Sequence, residues 1–340
     1  MVFNKLFSFF PHNNSHASLN FKNSVIFLGP WLGEVGPELQ YWIPFIQNLL
    51  KRDLFKKQKI IVVSRGGVEA WYANITSNYI DLFDHLSKGE FQKIRSEVLK
   101  NSQKQVKIHP MERLLIDNIA KHEKITSYTL IHPSFMWKTI VRWLQDKITL
   151  DSMIKTLDFQ PVTSIIPQYK NYIDRLNLPR HYFVVRFYTN NVFQVTNGVI
   201  PELNELIFTI SRIKPVILLQ TDYNLDDHKT IKLSKNSNVI KIGSKLAARI
   251  NLGLQTELVR RSEGFIGTNG GFSILPGMLG KPVLSFTTGE RGDYINLYSK
   301  HETVTQIWNE RINNNLYAQI HLNCWKNFIN KFTVNDNKYS

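Results

Sequence analysis

The chain has a single cysteine, Cys324, so no internal disulfide can form, and a reducing cytoplasm is the compartment that fits. Its histidines, carboxylates and thiol stand at no chelating spacing, and no Asp-x-Asp pair is present to hold a manganese ion, so neither a metal nor another cofactor is expected. A Gly-x-Ser-x-Gly elbow, a Walker loop and a Gly-x-Gly-x-x-Gly after the first strand are all missing, which removes the main support for hydrolase, ATPase and dehydrogenase chemistry. No apolar run approaches the roughly 18 residues of a membrane span. The greasy segment from Met1 to Phe10 is too short for a secretory signal and has no small-residue cleavage site behind it. Acid is the scarce charge, with 27 Asp and Glu against 42 Lys and Arg, a net charge of +15. An excess of that size attracts polyanions. The basic residues are nevertheless dispersed, with no stripe interleaved with aromatics, so no specific nucleic-acid partner is expected. Peripheral contact with the anionic inner face of a membrane stays open.

What is present is a globular composition, 43% hydrophobic over 340 residues, long enough for two domains of roughly 150 residues each. Residues 1–21 read as a loosely attached tail. Ser24 to Leu28 is a buried strand broken at Gly29-Pro30, and from Pro37 to Lys51 apolar residues recur at helical spacing. Further strands are expected at Lys59–Val63 and Thr126–Ile131. A second rhythm begins with a strand at His181–Arg186. It continues through a helix at Glu202–Arg212, strands at Pro215–Gln220 and Asn238–Ile242, and a helix at Leu246–Ser262. A strand at Gly264–Gly267, a helix at Phe272–Leu279 and a strand at Pro282–Phe286 complete it. Strands alternating with helices predict parallel sheets. The expectation is an α/β chain with an N-terminal lobe over 22–160, a proline-marked link, a C-terminal lobe over 175–315, and a helical tail over 316–340 that packs back across both lobes.

The most informative stretch runs from Gly264 to Phe286. A buried strand delivers Thr268, Asn269, Gly270 and Gly271 to its carboxyl end, where the chain turns at once into a helix carrying Phe272 and Ser273. Ligands of open α/β sheets bind at that edge. Free N–H groups and the positive end of the helix dipole suit a phosphate there, and glycines let the backbone approach it closely. By the same edge argument Arg65, in Ser64-Arg-Gly-Gly67, and His132 are expected to face an acceptor across a cleft.

The pattern Arg261-Ser-x-Gly-Phe-Ile-Gly-Thr-Asn-Gly-Gly-x-Ser273, a short helix, then Leu279-Gly-Lys-Pro-Val-Leu-Ser-Phe286 resembles the donor lobe of GT-B glycosyltransferases, notably the heptosyltransferase and fucosyltransferase-like branches. The resemblance covers about 100 residues of the C-terminal lobe and implies two Rossmann-like lobes with a nucleoside-diphosphate sugar in the cleft between them. It further implies transfer to a hydroxyl of a glycan or related acceptor, with inversion and without a metal. Arg186 resembles the arginine such enzymes direct at the donor phosphates; a guanidinium offers a flat bidentate donor fork for them. Thr221-Asp222 resembles their threonine-aspartate at the next strand end, and Asn190 stands where an acidic residue is usual. Gly29-Pro-Trp-Leu-Gly-Glu-Val-Gly-Pro-Glu38 resembles their N-terminal glycine loop, placing Gly33 and Gly36 against the donor. Glu34 is then the candidate base for the acceptor hydroxyl, with Glu38 a first-turn charge. Glu290 either contacts the donor sugar or caps the next helix, and Phe272 could stack on a base. A nucleotide-sugar epimerase of the same architecture, or a non-catalytic carbohydrate- or polyanion-binding protein, is the alternative.

Overall fold

The computed structural model describes residues 25–100, 104–219, 229–234, 237–242, 246–288, 295–312 and 317–334. The expected tail at 1–21 lies outside them, as do Thr221, Asp222 and Glu290. Among the described residues, β1 (Val25–Leu28), β2 (Lys59–Ser64), β3 (Tyr79–Asp81) and β4 (Tyr128–Ile131) form a parallel sheet in the order β3-β2-β1-β4. A second parallel sheet holds β5 (Phe183–Arg186), β6 (Val216–Leu219), β7 (Val239–Ile242), β8 (Gly264–Thr268), β9 (Val283–Thr287) and β10 (Tyr317–His321), ordered β10-β9-β8-β5-β6-β7. Counted from β5 as first strand this is the doubly wound order 3-2-1-4-5-6.

Parallel strands require crossovers, which in the first lobe run through α1 (Ile43–Leu50), α2 (Lys88–Leu99) and α3 (Pro110–His122); α4 (Ser134–Leu144), α5 (Leu150–Ile154) and α6 (Pro167–Asp174) follow its last strand and lead to the second sheet. The second lobe carries α7 (Val199–Ile213), α8 (Asn251–Arg261), α9 (Gly271–Met278), α10 (Ile295–Arg311) and α11 (Trp325–Val334). Side-chain alternation along β5 explains how the layers join. Phe183 and Val185 enter a core with Leu203, Ile207 and Ile210 of α7 and Trp325 and Ile329 of α11. Val184, on the opposite face, belongs to a cluster that runs through Leu254, Leu258 and Leu275 into the first lobe at Phe27, Trp71 and Trp137. The two lobes therefore share one buried apolar layer.

Two expectations are corrected. Residues after 316 do not begin as a helix: Tyr317–His321 is a strand paired in register with Val283–Thr287, because its apolar residues can extend the sheet edge. Nor does the terminal helix bridge the lobes. α11 stays on the C-terminal lobe, tied to α7 by Trp325 Nε1 donating to Glu202 (2.5 Å) and by Lys326 to Glu205 (2.7 Å). The bridging element is α10, whose polar sequence gave no apolar stripe to read. Gln40 donates to the His301 carbonyl (2.8 Å) and Thr305 Oγ1 (2.9 Å), Lys300 pairs with Asp146 (2.7 Å), and Trp308 packs edge-on against Phe159.

A second seam joins the lobes where Ser64-Arg-Gly-Gly67 meets α8. Gly253 N–H donates to the Gly66 carbonyl (2.9 Å), Trp71 Nε1 to Thr256 Oγ1 (2.9 Å), and Arg249 to Asp84 (2.8 Å). A β-carbon at Gly253 would lie 2.2 Å from the Gly67 oxygen and 2.5 Å from the buried Tyr169 ring. Overpacking of this kind costs about 1–3 kcal/mol. Gly253→Ala should accordingly lower the urea midpoint. Gly89→Ala, in α2 with nothing within 4 Å, should leave it unchanged or raise it. Equal midpoints for the two variants would show that the seam is not under tension.

Candidate active site at the facing switch points

Each sheet reverses its winding between its first strand and the strand on that strand's other side, and open α/β sheets bind ligands at the carboxyl ends of those two strands. In the C-terminal lobe these are β5 and β8, paired Arg186 to Gly267. Arg186 is the last residue of β5 and half-buried. Its guanidinium lies 4.1 Å from the Phe272 ring centre and 5.5 Å from that of Tyr188, and Nη1 donates to Gln255 (3.0 Å). β8 ends at Thr268, whose buried hydroxyl accepts from Tyr188 N–H (2.9 Å) and donates to the Tyr188 carbonyl (2.8 Å). Thr268 thus fixes the two strand ends together instead of presenting its oxygen.

The turn that follows is held from all sides. Asn190 Nδ2 donates to the Asn269 carbonyl (2.8 Å), Ser273 Oγ to that of Gly270 (2.8 Å), and Phe272 N–H to the Tyr188 hydroxyl (3.3 Å). A side chain at Gly270 would strike Tyr188 Oη at 2.6 Å and Asn190 Nδ2 at 2.8 Å, which is why glycine stands there. Asn269 is 4% exposed, yet its Nδ2 has no acceptor. A buried amide donor left so costs about 1–3 kcal/mol, and it sits at the start of α9, where the helix dipole is positive.

In the N-terminal lobe the switch point lies between β1 and β4. The loop after β1 is anchored by Gly29 N–H to the Ile131 carbonyl (3.0 Å) and Trp31 N–H to that of Val63 (3.1 Å). Gln105, which no sequence motif marks, grips it further: its Oε1 accepts from Leu32 N–H (2.9 Å) and its Nε2 donates to the Pro30 carbonyl (2.7 Å) and to Glu112 (2.6 Å). The loop then enters a helical run through Val35–Pro37 and a π-helical turn at Glu38–Trp42, a widened geometry that recurs at functional sites. Glu34 precedes that run without a side-chain capping bond; its carboxylate lies 3.5 Å from Lys104 Nζ, beside a recess also lined by Trp31, Gly33, Pro37 and Trp137, and the Lys104 ammonium lies 5.2 Å from the Trp137 ring centre.

The two switch points face each other and touch. A β-carbon at Gly36 would lie 2.6 Å from Gly271 Cα, and one at Gly271 2.6 Å from the Gly36 nitrogen. The expected cleft is closed here, glycine against glycine. A hollow of about 510 Å³ lined by Trp143, Asp146, Lys147 and Lys300 lies elsewhere, beside α10.

Two sequence expectations, for Arg65 and His132, do not match this geometry. Arg65 faces no acceptor: it is wholly buried, donating to Glu38 Oε2 (2.6 Å) and to the Gly33 carbonyl (2.5 Å). Glu38 stands in the first turn as expected and is the other half of that buried pair, also accepting from Ser64 (2.6 Å) and Tyr72 (2.5 Å); burial pushes its carboxyl above the usual range against the pull of Arg65. His132 is fully buried; its Nδ1 accepts from Ser134 N–H (3.1 Å), so Nε2 carries the proton and donates to Glu112 (2.9 Å). The edge argument located Arg65 and His132 correctly just past strand ends; it could not tell a residue facing the ligand from one clamped beneath it.

No family model and no curated protein matches the sequence. Among solved structures, the chain is similar to the ADP-heptose heptosyltransferase II of E. coli, at 10% identity over 80% of this chain and 87% of that one, with a TM-score of 0.43. It is similar also to a family 9 glycosyl transferase of Veillonella parvula, at 11% identity over 91% and 89% with a TM-score of 0.45. A UDP-GlcNAc 2-epimerase of Methanocaldococcus jannaschii gives 13% identity over 92% and 93% with a TM-score of 0.42. These are loose likenesses, and no residue role is carried over from them. No described helix is long and apolar enough to cross a membrane.

Proposed function

We propose that the chain is a GT-B glycosyltransferase that moves a sugar from a nucleoside-diphosphate sugar to a hydroxyl of a glycan or related acceptor, with inversion and without a metal. One observation carries this: at the switch point of a 3-2-1-4-5-6 sheet, a half-buried arginine and an unpaired buried amide flank a glycine turn at a helix N-terminus. Such donors favour the charge that builds on a departing diphosphate. In the proposed step the acceptor oxygen attacks the anomeric carbon as the bond to the diphosphate breaks. Glu34 takes the hydroxyl proton, and Arg186 and the start of α9 receive the leaving group's charge. The donor enters when Gly36 and Gly271 part. The two loops, parted around the donor, then shield it from water, a common use of closure. Epimerisation would need a denser set of acids and bases. Glu34 is the carboxylate that lines the recess, Glu38 and Glu112 being committed elsewhere. The fucosyltransferase-like branch rests on Arg186 alone, since Thr221 and Asp222 lie outside the described residues. Association with an anionic membrane fits the charge of +15.

A thermal-shift panel of nucleoside diphosphates in metal-free buffer tests the donor site. Binding to the folded state alone gives about 2.7 kcal/mol at a hundredfold excess over Kd. One or two diphosphates are expected to shift the wild type and not Arg186→Ala. No shift with any of them near a millimolar order would remove the donor site; a shift without transfer to any acceptor would favour the binding-protein reading.

A further inference from the structure

The geometry points to a divalent transition-metal site on the surface of the N-terminal lobe, formed by His85, His122 and Glu123. His85 follows the short helical turn Leu82–Asp84 after β3, and His122 and Glu123 are the last residue and the cap of α3. The turn and the helix end are 37 residues apart in the chain, so no sequence spacing signals the cluster. Folding brings one ligand atom from each side chain within 4.8 Å of the other two. The imidazoles stand edge to face, ring centres 4.9 Å apart at 90°, and His122 Nδ1 lies 3.0 Å from Glu123 Oε1.

Zinc takes imidazole nitrogen and carboxylate oxygen at about 2.0–2.2 Å, with three protein ligands and a water as one regular set. The three side chains are exposed or half-exposed, so small torsional changes close the present spacing to that geometry. The carboxyl end of α3 adds the negative pole of its dipole. Imidazole with carboxylate selects zinc, nickel or copper over magnesium or calcium. A bound ion would staple the turn after β3 to α3. That turn also carries Asp84, the partner of Arg249 across the lobe seam. The cluster lies at the far end of α3 from Glu112, ten residues or about 15 Å along the axis, so it is separate from the proposed transfer site and compatible with metal-free transfer. Lys121 and Lys124 flank it and set the affinity below that of a closed structural zinc site.

Zinc chloride titrated calorimetrically into the full-length protein, freed of metal by chelator, tests the assignment without any nucleotide. One equivalent should bind at pH 7.5, with release of any protons the ligand atoms carry. His85→Ala and His122→Ala should each weaken it by more than about tenfold, the lower range seen even for groups that only orient a ligand. His181→Ala, at an exposed histidine paired with Glu263 elsewhere, should leave it unchanged. Chelator-treated melting curves of the variants that overlay the wild type confirm the fold. Absence of binding at about 100 μM zinc, or binding indifferent to both cluster variants, overturns the site whether or not the transferase reading holds.

Discussion

Arg65→Met is expected to destabilise the protein by about 3–5 kcal/mol, the usual cost of leaving a buried charge without its partner. The pair with Glu38 is fully enclosed, at 2.6 Å. Removing the guanidinium leaves a carboxylate whose pKa burial already raises. Glu38 then keeps its proton to higher pH in the folded state than in the unfolded one. A raised folded pKa contributes stability that is present in acid and lost as pH rises. The deficit of Arg65→Met should therefore be smallest near pH 4 and grow toward neutrality. Adding Glu38→Gln, whose amide can still meet Ser64 and Tyr72, should recover part of the loss and flatten that dependence. Urea unfolding of the wild type, both single variants and the double variant from pH 4 to 8 measures the coupling. A loss below about 1 kcal/mol in Arg65→Met at neutral pH, or additive single effects, would mean the pair is not the support of the glycine loop that its geometry indicates.

That pair shows what the sequence could and could not convey. The alternation of strands and helices was legible because buried parallel strands are written as short unbroken apolar runs, as in Ile60–Val63 and Val216–Leu219. The glycine turn after β8 was legible because local backbone chemistry marks it. Partners far apart in the chain leave no such mark. Gln105 reaches back 75 residues to Pro30, and α10 binds the first lobe through Gln40, 261 residues before His301. Glycine itself was read for half its use. In Gly66 and Gly67, φ values of +78° and +77° meet the backbone requirement, but the second reason is that a β-carbon at Gly67 would strike the Tyr169 hydroxyl and lie 2.8 Å from the Arg249 carbonyl oxygen, which only the fold reveals. The closed contact of Gly36 with Gly271 is of the same kind. Two loops expected to flank a ligand instead occupy each other's space, and the geometry of a donor-bound state must differ from this one by at least that contact.

Two buried titrating groups sit at the junctions between the lobes, and their pH dependences should oppose each other. Asp81 accepts from Gly67 N–H (2.7 Å), Tyr79 (2.9 Å) and Phe83 N–H (2.9 Å), with Arg249 3.5 Å away; burial outweighs these and pushes its carboxyl up to about 6. His301 of α10 meets the Tyr41 hydroxyl at 2.5 Å, and burial, aided by Lys104, lowers its pKa to about 4. The hydroxyl of Tyr41, held protonated by burial, donates to the neutral ring. For Asp81 the folded state binds the proton more tightly, so its contribution is full below pH 4 and is lost as pH rises through about 6. For His301 the unfolded state binds it more tightly, so its contribution is full above pH 6.5 and is lost as pH falls toward about 4. Each slope reaches at most about 1.4 kcal/mol per pH unit, and in the wild type they largely cancel between pH 4 and 6. His301→Phe should leave a protein whose stability falls with rising pH across that window, and Asp81→Asn one whose stability rises. Slopes are compared, not absolute values, because His301→Phe also leaves the Tyr41 hydroxyl buried without its partner. If both variants run parallel to the wild type, neither group titrates as its surroundings require, and the attachment of the lobes is indifferent to pH. Opposite slopes would instead show that acid loosens α10 while a rise in pH through about 6 loosens the Gly67 seam, each junction failing where the other holds.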